Sequence, residues 1–229
     1  MAETSTIFGF MKYVSATDIL SDFKKTVDSH FVNSLKRMLR HSFFEGVLMK
    51  YMIASDIHGS SYYCQKLMDA YKYEKPDRLI LLGDILYHGP RNDLPKDYAP
   101  KKVIEMLNSI SDSILCVRGN CDCEVDQMVL DFPCLADYSV LDINGLFIYC
   151  THGHLKPVKL KPGSLLLCGH THVPAIEDRD GIIYMNPGSV SIPKENSPHS
   201  YMILEDCVFT WKDLETLSQY RYKEFPKSK

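Results

Sequence analysis

Seven side chains able to hold metal ions are released in order along the chain: Asp56 and His58, Asp84, Asn120, His152, then His170 and His172. Each follows a short apolar run and stands near a glycine, among Gly59, Gly83, Gly119, Gly153 and Gly169. Folding alone does not require such residues at strand ends. In α/β sheets, however, the loops beyond the carboxyl ends of strands are where ligands bind. The Asp-x-His and His-x-His spacings send alternate side chains off a strand in one direction, because strand side chains have a period of two. Each pair could then grip one ion. The neighbouring glycines let the backbone turn sharply without a Cβ clash. Four imidazoles, two carboxylates and one amide oxygen suit Mn²⁺, Fe²⁺ or Zn²⁺ better than Mg²⁺ or Ca²⁺. Seven donors are too many for one tetrahedral site. They fit two ions about 3.5–4 Å apart with one carboxylate bridging, a spacing from which a shared hydroxide can attack phosphorus in line. A single buried histidine is more commonly a hydrogen-bonded core residue; the complete set points to metal.

The elements that must position these side chains follow from the apolar runs. Tyr51–Ser55 reads as a buried strand, Ser60–Tyr73 as a helix, and Arg78–Leu82 as a second strand. Lys101–Ser109 is a further helix and Ser113–Val117 a third strand. This βαβαβ alternation implies a parallel sheet with crossover helices. The second half reads mostly as strands: Tyr138–Ile143 and Leu146–Cys150 around Asn144-Gly145, then Leu165–Cys168, Ile182–Met185 and Tyr201–Leu204. Asp180-Gly181 marks another hairpin, and Val208–Leu214 is expected as an edge strand. The expectation is an α/β sandwich of two facing sheets over 49–229.

Residues 1–48 differ. Phe23, Val27, Phe31, Leu35 and Leu39 recur every fourth position, which describes an amphipathic helix. It is expected to pack on the main domain or on a partner chain, a homo-oligomer included. Acidic Asp18, Asp22 and Asp28 share the segment with its basic residues, which weakens a membrane-surface reading. Met11–Ile19 (MKYVSATDI) echoes Met49–Ile57 (MKYMIASDI), but Leu20 stands where the second copy has His58, so no metal is assigned to Asp18.

A formal net charge of −3 gives no global basic field to attract nucleic acid or anionic membrane. No apolar run reaches the roughly 20 residues of a membrane span, and no signal peptide is evident. The eight cysteines, several inside apolar runs, read as reduced thiols rather than a disulfide framework. A cytoplasmic protein is expected.

Asp56-Ile57-His58-Gly59, Gly83-Asp84, Gly119-Asn120-Cys121-Asp122, Thr151-His152-Gly153-His154 and Gly169-His170-Thr171-His172 resemble the ordered blocks of the calcineurin-like metallophosphoesterase superfamily. Leu86–Asn92 (LYHGPRN) and Asn186-Pro187-Gly188-Ser189 are similar to its small bacterial phosphodiesterases of the YfcE type. The likeness runs from Met49 to about Leu214. It implies a two-sheet αββα sandwich and hydrolysis of phosphodiesters by a metal-bridging hydroxide. It also implies one ion on Asp56, His58, Asp84 and His172, and a second on Asp84, Asn120, His152 and His170, with Asp84 bridging. Manganese is the expected metal, with iron, zinc or nickel as alternatives.

One departure bears on substrate. Phosphomonoesterases of this superfamily carry a histidine where Cys121 stands, and a thiol of pKa about 8.5 is a poor substitute acid. Small diesters with good leaving groups are therefore expected, or an acid supplied elsewhere. His154, two residues from His152, is a candidate acid or an orienting partner for a ligand. His88, Arg91 and Arg118 are candidate phosphate contacts, Arg being suited to bidentate recognition. The rival reading is a scaffold resembling the metallophosphoesterase-fold subunit of retromer. A DNA-repair nuclease is disfavoured by length and charge.

Overall fold

The computed structural model describes residues 49–143, 145–156 and 159–226. The expected leader helix and the echo at Met11–Ile19 lie outside the described residues. Strand β1 (Tyr51–Ala54) leads to helix α1 (Ser61–Glu74), β2 (Arg78–Leu81), helix α2 (Pro100–Asn108) and β3 (Ile114–Cys116). The three strands pair in parallel, as the alternation required. Ser60 caps α1 by accepting from the Tyr63 amide at 3.2 Å, satisfying one of the free amides of the first turn. Cys64, Leu67 and Met68 recur at the spacing of one helix face and are buried. Pro100 opens α2, where its missing N–H costs nothing.

A short helix α3 (Glu124–Gln127) precedes β4 (Tyr138–Ile143), β5 (Leu146–Thr151), β6 (Leu165–Leu167), β7 (Ala175–Arg179) and β8 (Ile182–Asn186). Strands β9 (Ser200–Glu205), β10 (Val208–Asp213) and β11 (Gln219–Glu224) follow. One sheet has the order β11-β10-β9-β1-β2-β3, the other β4-β5-β6-β8-β7. The Asp180-Gly181 hairpin has φ of 55° and 81°, the left-handed pair of a type I′ turn.

Two strands differ from expectation. Val208–Asp213 is an interior strand, because Gln219–Glu224 pairs outside it and takes the edge. That last strand (QYRYKE) is exposed throughout, so it has no buried face to mark it in sequence. Strand β7 was also missed; three of its five residues are exposed and charged.

The period of two sorts the core. Met52, Ala54, Leu79 and Leu81 face the helices. Ile53, Ile80, Leu82 and Val117 face the second sheet, where Ile148, Leu165, Leu167 and Met185 meet them. The sole tryptophan, Trp211, is fully buried between the sheets and donates its indole N–H to the Asn186 carbonyl at 2.7 Å.

Candidate metal centre

Strands β1, β2, β5 and β6 all end at one edge of the sandwich, and their following loops converge there. The residues expected on strands lie just past them. Strand β1 stops at Ala54 and β6 at Leu167, so strand alternation does not aim the Asp-x-His and His-x-His pairs. Left-handed backbone does. Asp56, His58, Asp84, His170 and His172 have φ of 59°, 47°, 56°, 69° and 63°. Such conformations are uncommon for residues with a Cβ and cluster at functional sites, where surrounding contacts enforce them.

The glycines do two kinds of work. Gly83 adopts φ of 91°. Gly119 and Gly169 instead permit close approach: a Cβ on Gly119 would stand 2.1 Å from Asp84 Oδ1, and one on Gly169 1.9 Å from Ser55 Oγ.

His58 Nε2 faces His172 Nε2 at 3.3 Å. Asp56 Oδ1 lies 3.6 Å from the first and 3.3 Å from the second. Asp84 Oδ2 lies 3.6 Å from His58 Nε2 and 3.3 Å from His152 Nε2, so it stands between two groups. Asn120 Oδ1 is 3.2 Å from His152 Nε2. The His170 ring centroid is 5.1 Å from that of His152, and its side chain falls on the His152 side. Asp56–His58–His172 and Asp56–Asp84–His152 each bring donor atoms within 4.8 Å of one another, a spacing that could hold a metal ion. His58, Asp84 and Cys121 do the same.

Backbone groups fix these donors. The Nδ1 atoms of His58, His152 and His172 lie 2.8, 2.6 and 2.6 Å from the carbonyls of Tyr87, Leu82 and Ile192. A carbonyl only accepts, so each Nδ1 carries the proton and each Nε2 turns a lone pair inward. Asp84 Oδ1 accepts from the Cys121 amide at 2.8 Å, and Asp56 Oδ2 from the His170 amide at 3.1 Å. The other oxygen of each carboxylate faces the centre. Asp56 Oδ1 is buried and has no hydrogen-bond donor. Buried acceptors facing one another without a donor are costly, and a cation is what relieves them.

With no ion bound, the carboxylates and imidazoles act on one another. Burial pushes the Asp56 carboxyl up, but the neighbouring imidazoles of His58, His152 and His172 bring it below its ordinary value. Burial disfavours the charged forms of His58 and His152, yet Asp56 and Asp84 respectively overcome it, raising His152 to about 9. His170, His172 and His154 are lowered, first by burial.

The substrate-side candidates separate. Cys121 accepts from Asn120 Nδ2 at 3.2 Å, and burial followed by Asp84 pushes its thiol up to about 12. His154 Nδ1 is buried without a partner, its ring 5.4 Å from His152. His152 is oriented by the Leu82 carbonyl, so an orienting role for His154 would be toward another ligand. His88 is half-buried with Nδ1 unpartnered, between the rings of Tyr87 and Tyr98. Arg91 is exposed, and Arg118 donates Nε–H to the Asp122 carbonyl at 3.2 Å.

Sequence reasoning quoted Asp122 without giving it a role. It is 2% exposed and its carboxylate accepts from the amides of Asp84, Ile85 and Gly119 at 2.8, 2.9 and 2.7 Å. It thereby ties the Asp84 loop to the Asn120 loop. Asn186 similarly donates to the Gly169 carbonyl at 2.7 Å and to Thr171 Oγ1 at 3.0 Å, holding the His170 loop. Ser189 and Ser191 donate to the Asp56 carbonyl. The signal was the Asn-Pro-Gly-Ser turn, visible as a likeness but not as a contact.

Two sheets whose strand ends gather histidines, aspartates and an asparagine define a metallophosphoesterase arrangement. The chain belongs to the calcineurin-like phosphoesterase superfamily, whose domain description matches residues 49–207. That family comprises metal-dependent phosphoester hydrolases. The chain is 44% identical to the phosphodiesterase YfcE of Escherichia coli K12 over 167 residues, covering 71% of this chain and 91% of that protein. A solved structure of the E. coli phosphoesterase YfcE superposes with a TM-score of 0.73 at 43% identity, over 76% of this chain and 98% of the other. Vacuolar protein sorting 29 of Cryptosporidium parvum shares the fold, with a TM-score of 0.51 at 19% identity over 79% of this chain and 99% of that one. No described helix is long and apolar enough to cross a membrane.

Proposed function

We propose that the chain is a two-metal phosphodiesterase acting on small diesters in the cytoplasm. Asp56, His58, Asp84 and His172 would hold one ion and Asp84, Asn120, His152 and His170 the other. The observation that carries this reading is the meeting of His58 Nε2, His172 Nε2 and the unpartnered Asp56 Oδ1, three acceptors within 3.6 Å with no donor among them. Asp84 supports it by offering Oδ2 to both His58 and His152 while the Cys121 amide holds Oδ1.

Bound divalent ions supply a nucleophile from water at neutral pH and offset charge on the phosphoryl oxygens. The donor set suits manganese, with iron, zinc and nickel as competitors. Around them, the carbonyls of Leu82, Tyr87 and Ile192 keep three imidazoles in the ligating tautomer. We assign to His154, whose Nδ1 is buried without a partner, the protonation of a leaving oxygen. His88 would border the substrate from the loop that packs on Cys121, with Arg118, tied to the Asp122 carbonyl, and the exposed Arg91 as candidate phosphate contacts.

Metal analysis of the purified protein, followed by manganese titration with bis-p-nitrophenyl phosphate and p-nitrophenyl phosphate, tests this. Two ions per chain and faster diester turnover are expected. Metal binding without hydrolysis of either would favour the scaffold reading, and one ion or fewer at saturation would end the two-metal assignment.

A further inference from the structure

The outer face of the second sheet carries a cavity of about 360 Å³, within the size range of small-molecule sites. Its floor is one cross-strand row, in which Tyr149 pairs with Leu166 and Leu166 with Tyr184 across β5, β6 and β8. The period of two sends these side chains away from the core that Ile148, Leu165 and Met185 fill. Tyr138 stacks beside Tyr149 with centroids 5.9 Å apart, and the Arg179 guanidinium lies 3.6 Å over the Tyr184 ring. The far end of the cavity is built from Gly153, Gly169, His170 and Thr171, the loops of the metal centre. Tyr149 stands three residues before His152, about 10 Å of strand. Of the proposed ligands His170 lines the cavity, so the aromatic floor and the metal centre meet at that side chain.

We propose that this cavity receives one ester group of the diester, and that this group is a planar aromatic ring. The proposal rests on the diesterase reading and names its substrate class. Tyrosine rings and a stacked guanidinium favour a flat π-face over an alkyl chain, and Leu166 supplies apolar contact beneath it. Aryl and nucleobase rings share this chemistry.

Three diesters with one leaving group separate the cases: bis-p-nitrophenyl phosphate, thymidine 5′-(p-nitrophenyl phosphate) and methyl p-nitrophenyl phosphate. Because the departing p-nitrophenolate is common, differences in kcat/KM, each divided by the same diester's uncatalysed rate, report what the protein does with the second ester group. At least one aromatic diester should exceed the methyl one by about tenfold, the size of one stacking contact, and the better of the two says whether the ring is aryl or nucleoside. Tyr149→Ala, and Leu166→Trp, which fills the cavity, should each bring that preference near unity at unchanged metal content. Equal ratios for all three, or a preference that survives both variants, overturn the proposal. Should no diester be hydrolysed, the diesterase reading has failed and binding decides the cavity. In calorimetry on the metal-loaded protein, diphenyl phosphate should still bind about tenfold more tightly than dimethyl phosphate, and both variants should abolish the difference. Equal binding overturns the proposal on that arm too.

Discussion

Strand β1 has a cluster of buried charge at each end, and the two are built on opposite plans. Before it, Lys50 donates to Glu74 Oε2 at 2.9 Å, while Lys212 and Tyr201 donate to Oε1. Both oxygens of that carboxylate have donors, and its side chain is 5% exposed. Beyond the strand, Asp56 and Asp84 stand among His58, His152 and His172, whose Nδ1 protons go to backbone carbonyls. The first cluster is complete with the residues it has. The second is organised around a cation that the protein must acquire. Buried charge thus stabilises a fold at one end and prepares a binding site at the other, and the presence of a donor for each oxygen tells them apart.

The strongest test of that contrast is Asp84→Ala. Removing the carboxylate that faces both histidine groups should cost several kcal/mol of transition-state stabilisation, about 10³-fold or more in diester turnover. Saturating manganese should also cease to raise the melting temperature as it does in the wild type. Near-normal activity with manganese would remove Asp84 from the centre.

Asp122→Ala should act one step further out. Three backbone amides lose their acceptor, and the Asp84 and Asn120 loops are no longer tied. Weakening of metal affinity by about 10–100-fold is expected, the usual cost of losing a group that orients a ligand. If the loss falls on stability while the metal dissociation constant is unchanged, Asp122 serves the fold rather than the site.

Cys121→His should alter selectivity more than rate. General acid catalysis is worth ~10²–10⁴-fold, and an imidazole donates a proton near neutrality far better than a thiol. Monoester hydrolysis should rise by about tenfold if the ring finds room beside Gly89, where a Cβ would lie 2.9 Å from Cys121 Sγ. A wild-type enzyme that already prefers alkyl monoesters would contradict the premise, and His154→Ala would then identify the acid.

The contrast between the two clusters was only half legible in the sequence. The apolar runs located nine of the eleven described strands, because burial on one or both faces writes a pattern; β7, mostly exposed and charged, and β11, with no buried face, wrote none. The metal-facing residues were legible because aspartate, histidine and asparagine after apolar runs have no packing explanation. How they are aimed was not, since the left-handed backbone of Asp56, His58 and Asp84 and the carbonyls of Leu82, Tyr87 and Ile192 are main-chain features that any side chain could accompany. Glu74 went unnoticed for a different reason: its partners lie 24, 127 and 138 residues away.

Glu74→Gln should have the smallest effect on chemistry and a clear one on stability. It leaves Lys50 and Lys212 without their carboxylate, at roughly 2–3 kcal/mol, near or below the low end for a buried pair because both lysines still reach solvent. Metal affinity and diester turnover should match the wild type, because no donor to the centre comes from this end of β1. The pH dependence then identifies the cause. Burial pushes the Glu74 carboxyl up, but the hydrogen bonds from Lys212 and Lys50 more than reverse it, so it lies below its ordinary value. A carboxyl depressed in the folded state contributes its full stability above the unfolded value of about 4.3 and loses it as pH falls through the folded one. Denaturant midpoints of the wild type and Glu74→Gln should therefore differ by a constant amount from pH 7 to about 5, and converge below about 4 as the wild-type carboxyl takes up its proton. A gap that stays constant into stronger acid would mean that packing, not charge, is what Glu74 contributes, and the two ends of β1 would no longer differ in the way proposed.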